Sequence, residues 1–169
     1  MIRPIFRYGE TPLHRPAEPV QEITTDVHEL IDDMVETMYA APGIGLAAPQ
    51  VGVPLRIFVA DPSGGHNAAD LVIVINPVCV EQDGMQLEEE GCLSVPGFNA
   101  TVVRPTHVVL HGLGRDGREQ QLEGRGLLAR VFQHEMDHLE GTVFIDRLRG
   151  VKRDLIARRI RKLQRTGKW

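Results

Sequence analysis

The segment His134-Glu135-Met136-Asp137-His138 places two imidazoles four residues apart with a carboxylate between them. On an α-helix both rings leave the same face and can bind one metal ion. From position 135 a carboxylate reaches a water on that ion without being a ligand, the place of a general base in metal-assisted hydrolysis. The segment therefore predicts a metal-dependent hydrolase. The plain alternative is a chance pattern on a packed or solvated helix. The apolar residues Leu127 and Val131 on the same stripe weaken the solvated version.

A hydrolytic centre needs a third protein ligand and an open fourth position. A third histidine six residues after the second would fall on Phe144, which cannot ligate, although Gly141 does occupy the glycine position of that pattern. The downstream carboxylates are poorly placed: Asp146 is close to the motif and Asp154 opens a basic helix. Upstream, Glu90-Gly91-Cys92-Leu93-Ser94 offers a thiol at the end of an expected strand, where Gly91 permits close backbone approach. Cys92 is thus the candidate third ligand, while Cys79 reads as a small buried hydrophobe. Two nitrogens and one sulfur suit zinc or another late divalent ion, and ligand type does not exclude ferrous iron.

The elements that must carry these groups show in the periodicity. Val27, Leu30, Ile31, Met34, Val35 and Met38 fall at helical spacing over 26–38, with Asp26 as expected N-cap and Pro42-Gly43 as the stop. The small-residue stretch 43–50 reads as a loop. Strands are expected over 55–60, 71–76, 86–90, 100–104, 108–113 and 120–123, with Asn76-Pro77 as a separating turn and Gly-Arg-Asp-Gly-Arg at 114–118 as a hairpin. A helix then carries Leu127, Val131, His134 and His138 on one face and is capped by Gly141. A last helix, 151–163, turns Leu155, Ile156, Ile160 and Leu163 inward. Helix, strands, then helices indicate an α+β fold, antiparallel sheets packed around the central metal-binding helix with helices near both ends.

At 169 residues the chain fits a single domain, 1–169, able to bury a core without disulfides. Charges in Met1-Ile2-Arg3-Pro4-Ile5-Phe6-Arg7 interrupt what a signal peptide would need, and no apolar run is long enough to span a bilayer. A cytoplasmic protein with reduced cysteines and no membrane association is expected. The net charge of -4 gives no global case for nucleic-acid binding. Yet from Arg149 onward eight further basic residues, from Lys152 to Lys168, face the lone acid Asp154, so that end can meet a polyanion.

Three segments together are more specific than any one: Gly43-Ile44-Gly45-Leu46-Ala47-Ala48-Pro49-Gln50, Glu90-Gly91-Cys92-Leu93-Ser94 and Gln133-His134-Glu135-Met136-Asp137-His138-Leu139-Glu140-Gly141. In order and separation they resemble the signature motifs of bacterial peptide deformylases, and the resemblance runs from the Pro-Ile start through the last helix. It implies a metallohydrolase that removes the formyl group from the N-terminal formylmethionine of newly made polypeptides, releasing formate. It also implies Cys92, His134 and His138 as metal ligands and Glu135 as acid and base. Gln50 and the Leu93 N–H match the groups that hold the formyl oxygen, and Gly45 matches the glycine beside the substrate. Ferrous iron is the implied metal, with nickel, cobalt or zinc able to replace it in purified protein. The basic C-terminal helix is implied as a ribosome contact, with no other nucleic-acid role.

Physical chemistry agrees with those roles. Donors at Gln50 and Leu93 can stabilise an oxyanion as charge develops. A small-residue wall over 43–48 can exclude acetylated chains by size. Leu127 and Val131 are the expected methionine pocket. Arg130 departs from the aliphatic residue implied there and is expected to point to solvent or to contact the peptide. Asp137 either orients a ligand histidine or is an exposed helix residue. Two rivals stand beside this reading: a general metallopeptidase, and a nucleic-acid or ribosome-binding module with a structural metal. The second conflicts with Glu135, because a closed structural site needs four protein ligands.

Overall fold

The computed structural model describes Met1–Trp169. Seven strands run β1 (Gly45–Ala47), β2 (Ile57–Ala60), β3 (Val72–Asp83), β4 (Gln86–Gly91), β5 (Asn99–Arg104), β6 (His107–Leu113) and β7 (Glu119–Arg125). Three α-helices are α1 (Thr25–Ala40), α2 (Leu127–Leu139) and α3 (Val151–Arg165). Five strands form an antiparallel sheet in the order β1-β2-β3-β6-β7, and β4 pairs with β5 in a separate two-stranded ribbon. The α+β expectation holds.

Strand β2 shows how the sheet is covered on both faces. Ile57 and Val59 pack with Val27, Leu30, Ile31, Met34 and Met38 of α1, whereas Phe58 and Ala60 pack with Ala129, Val131, Phe132 and Leu139 of α2. Alternation along one strand therefore feeds two cores. A third core joins Ala100 and Val102 of β5 to Phe144, Ile145, Ile156 and Ile160. Helix α2 lies between the five-stranded sheet and the β4–β5 ribbon, so opposite faces of one helix meet different surroundings. That position sets up the site.

Four local expectations change. The stretch 43–50 is not all loop: Gly45, Leu46 and Ala47 pair with Ala60, Val59 and Phe58, since backbone pairing and burial override the weak strand propensity of small residues. Asn76-Pro77 does not end a strand. It forms an irregularity inside β3, with Asn76 at φ 53° and a register shift between Ile75 and Val78. The Asn76 side chain there accepts from the Val20 N–H at 2.8 Å and donates to the Val20 carbonyl at 3.0 Å, pinning the N-terminal segment to the sheet. The N-cap of α1 is Thr24, whose hydroxyl accepts from the Val27 N–H, and Asp26 sits in the first turn. In α3, Ile156 and Ile160 are buried but Leu155 is exposed, one residue off the inward stripe.

Candidate functional site

Helix α2 starts after Gly126, whose positive φ turns the chain out of β7, and ends at Leu139, with Gly141 just past the Glu140 cap also at positive φ. Gly141 fits tightly: a Cβ there would lie 2.7–3.0 Å from Arg15 backbone atoms. With both ends fixed, His134 and His138 stand one turn apart on the face turned toward the ribbon. Cys92 follows directly on Gly91, the last residue of β4. The predicted triad comes together. His138 Nε2 lies 3.2 Å from His134 Nε2 and 3.3 Å from Cys92 Sγ.

The donor set fits a metal ion. Ion–nitrogen bonds near 2.0–2.1 Å and an ion–sulfur bond near 2.3 Å give tetrahedral edges of about 3.3–3.6 Å, close to the separations found. Three lone-pair atoms at such distances repel unless a cation or proton lies among them. Burial by itself lowers the proton affinity of His134, yet Cys92 and Glu90 outweigh it and hold its pKa well above the ordinary value. Burial and the neighbouring His134 push His138 well below. A second group of close ligand-type atoms, Glu81, Asp83 and His107, lies on β3 and β6, and both nitrogens of the His107 ring are already met by carboxylates.

Glu135 points to the same centre. It is buried, one carboxylate oxygen has no hydrogen-bond partner, and burial raises its pKa to about 7. A buried orphan oxygen is costly unless a water or ligand meets it. Gly45 faces this carboxylate so closely that a Cβ at position 45 would overlap Glu135 Oε1. His138 Nδ1 is the other buried side-chain atom without a partner, so the polar contacts of this imidazole all run through Nε2.

Gln50 is buried and oriented. Its Oε1 accepts from the Ala47 N–H at 2.9 Å, which leaves the amide nitrogen facing Ser94 Oγ at 3.1 Å and Cys92 Sγ at 3.7 Å. No acceptor within the chain takes the Leu93 N–H. A cavity of about 360 Å³ opens beside these groups, lined among others by Gly43, Leu127, Arg130, Val131 and His134. Leu127 and Val131 are therefore wall residues, as expected. Gly43 sits in the same lining against Leu93, where a Cβ would lie 2.7 Å from Leu93 Cδ1.

Arg130 and Asp137 depart from their expectations. Arg130 does not point to solvent: it is 4% exposed and bonds Glu90 and the Val102 carbonyl. Asp137 is neither exposed nor in contact with a histidine, and it accepts from Arg104 at 2.7 Å and from Arg147. The residue that contacts a candidate ligand is Glu90, whose Oε1 meets His134 Nδ1 at 2.5 Å. Burial would raise the Glu90 carboxyl, but His134 and Arg104 outweigh it and hold it down at about 2. Sequence reading gave Glu90 no role. Alternation along β4 gives no signal for it, because Leu87 is exposed and the buried Glu90 falls on the opposite phase, between exposed Glu89 and Gly91.

Comparison with known proteins decides the family. The polypeptide deformylase family model matches residues 2–154. The chain belongs to the polypeptide deformylase family. A peptide deformylase of Acidobacterium capsulatum is 48% identical over 169 residues, covering 100% of this chain and 99% of that one. The crystal structure of a Legionella pneumophila peptide deformylase superposes with a TM-score of 0.91 at 41% identity, covering 99% of this chain and 98% of the other. That of the Thermus thermophilus peptide deformylase does so at 0.87 and 40%, covering 95% and 94%. Deformylases of this family are metallohydrolases that remove the formyl group from the N-terminal formylmethionine of nascent proteins. No helix of the chain is long and apolar enough to cross a membrane.

Proposed function

We propose that residues 1–169 act as one catalytic unit in which Cys92, His134 and His138 hold the metal and Glu135 moves the protons. The observation that carries this reading is the partnerless Glu135 oxygen, buried beside three converging donor atoms. A divalent ion on those three ligands would supply Lewis-acid polarisation of the formyl carbonyl and would acidify a water. Glu135 takes a proton as water attacks the formyl carbon. The Gln50 amide, held by Ala47, and the Leu93 N–H donate to the oxygen on which charge accumulates. Glu135 returns the proton to the leaving nitrogen, so formate and a free amino terminus separate.

The same walls account for the choice of substrate. Leu127 and Val131 take the methionine side chain, and Gly43 and Gly45 leave room for hydrogen beyond the carbonyl but crowd a methyl group. We assign ferrous iron as the cellular metal, with nickel, cobalt or zinc as replacements in purified protein, because two imidazoles and a thiolate accept any of them. Anaerobic iron-loaded protein should turn over faster than zinc-loaded protein, and equal rates would remove the iron assignment. Formate release from a formyl-methionyl peptide, with an acetyl-methionyl control, tests the reaction. Cleavage inside a peptide without formate would support the metallopeptidase rival instead.

The outward face of α3 carries Arg158, Arg161, Lys162 and Arg165, all exposed. We assign this face to ribosomal RNA at the point in the cytoplasm where nascent chains emerge, since clustered cations bind phosphate backbones in a salt-dependent way. Reversing these charges should abolish co-sedimentation with ribosomes and leave deformylation of a free peptide intact.

A further inference from the structure

Arg130 lies on α2 one turn before His134, in the wall of the cavity, where a charged residue needs a reason. All three guanidinium nitrogens are engaged. NH1 donates to Glu90 Oε2 at 2.8 Å, NH2 to the Val102 carbonyl at 3.0 Å, and Nε faces Gln86 Oε1 at 3.4 Å. These acceptors belong to β4 and β5, so one side chain straps both strands of the ribbon to α2.

The Glu90 carboxylate is the common anchor. Its Oε1 accepts from Arg104 NH2 and His134 Nδ1, and its Oε2 from Arg104 Nε and Arg130 NH1. Four donors on two oxygens leave the carboxylate one orientation. Arg104 grips both oxygens through Nε and NH2, and its remaining NH1 reaches Asp137 on the same helix as His134. Arg130 adds a donor to Oε2 from α2 itself, one turn before His134, so the carboxylate is tied directly to the helix that carries the ring it contacts. Bonds of this kind fix the tautomer and the ring angle of a ligand histidine.

We propose that Arg130 is a positioning residue for the metal centre: it clamps Glu90, and through Glu90 it holds the His134 ring so that Nε2 faces Cys92 and His138. Because each of its nitrogens bonds within the ribbon and its charge is paired with Glu90, a guanidinium coexists with an apolar substrate side chain. The clamp rests on the assignment of Cys92, His134 and His138 as ligands.

The test uses Co(II)-loaded protein, whose thiolate-to-cobalt absorption reports the centre independently of turnover. Arg130→Met keeps the length of the side chain and removes its donors. Co(II) affinity, measured by competition with a chelator, should fall about tenfold, the range for outer contacts of metal ligands, and the ligand-field bands should shift. Arg130→Lys, which retains the charge and reaches one acceptor, should recover part of the loss. Combining Arg130→Met with Glu90→Gln should weaken binding no further than Glu90→Gln alone. Parent-like affinity and spectrum in Arg130→Met, or losses that multiply in the double variant, would overturn the clamp. Should Arg130→Met fail to fold, Arg130→Lys decides, and unchanged affinity there overturns the proposal. A parent protein without the thiolate band would remove the Cys92 site itself, a result distinct from failure of the clamp alone.

Discussion

Glu90 and His134, 44 residues apart in sequence, meet at 2.5 Å, so the ribbon and the central helix are joined at a candidate metal ligand. Glu90→Gln keeps the shape but removes the charge that balances Arg104 and Arg130. Leaving those buried cations underpaired should cost about 3–5 kcal/mol of stability. Metal affinity should fall by about 10- to 100-fold. Thermal unfolding and chelator competition measure the two effects, and parent-like values in both would show that the contact holds nothing in place.

Glu135→Gln isolates the proton-transfer role. The amide matches the carboxylate in size and Glu135 makes no ion pair, so fold and metal content should be retained. Turnover of formyl-methionyl peptide should drop by at least about 10²–10⁴-fold, the usual worth of a positioned general base and acid. Metal analysis run beside the kinetics separates this from loss of the ion. Near-normal kcat with bound metal would require another residue to carry the proton.

How much of this could be seen in the sequence depends on how local each signal was. His134 and His138 share a face through helical period alone, and Cys92 stood out because a glycine and a strand end flanked it. Helices α1 and α2 and most strands followed from periodicity. Strand β1 did not, because Gly45 and Ala47 become strand only by pairing with β2. The roles of Glu90, Arg104, Arg130 and Asp137 were hidden for the same reason: each is defined by partners 10 to 44 residues away on another element. A charged residue whose partners are distant in sequence looks like a solvated one.

Gly45→Ala tests how closely the wall is fitted to the chemistry. The added Cβ overlaps the Glu135 carboxylate, so either the backbone of β1 or the carboxylate must move. Misplacement of a catalytic group by about 1 Å costs on the order of 10²-fold. The expected result is a kcat lower by that factor with metal content unchanged, because Gly45 touches no ligand. A variant with parent-like kcat would show that Glu135 has slack.

His107, outside the candidate metal centre, gives the chain a pH-dependent brace. Its Nδ1 meets Asp83 at 2.8 Å and its Nε2 meets Glu123 at 2.8 Å, tying β3, β6 and β7 together. The hydrogen bond to Asp83 is the main cause of an elevated His107 pKa, aided by Glu123 and opposed by desolvation and by Arg125. A pKa raised in the folded state means that protonation favours folding. The contribution is therefore complete below the ordinary value near 6.5 and is lost as pH rises through the elevated one. His107→Gln should melt below the parent at about pH 6, and the gap should close as the pH rises through the elevated value. A gap that stays constant across that range would show that the brace does not depend on the charge of His107.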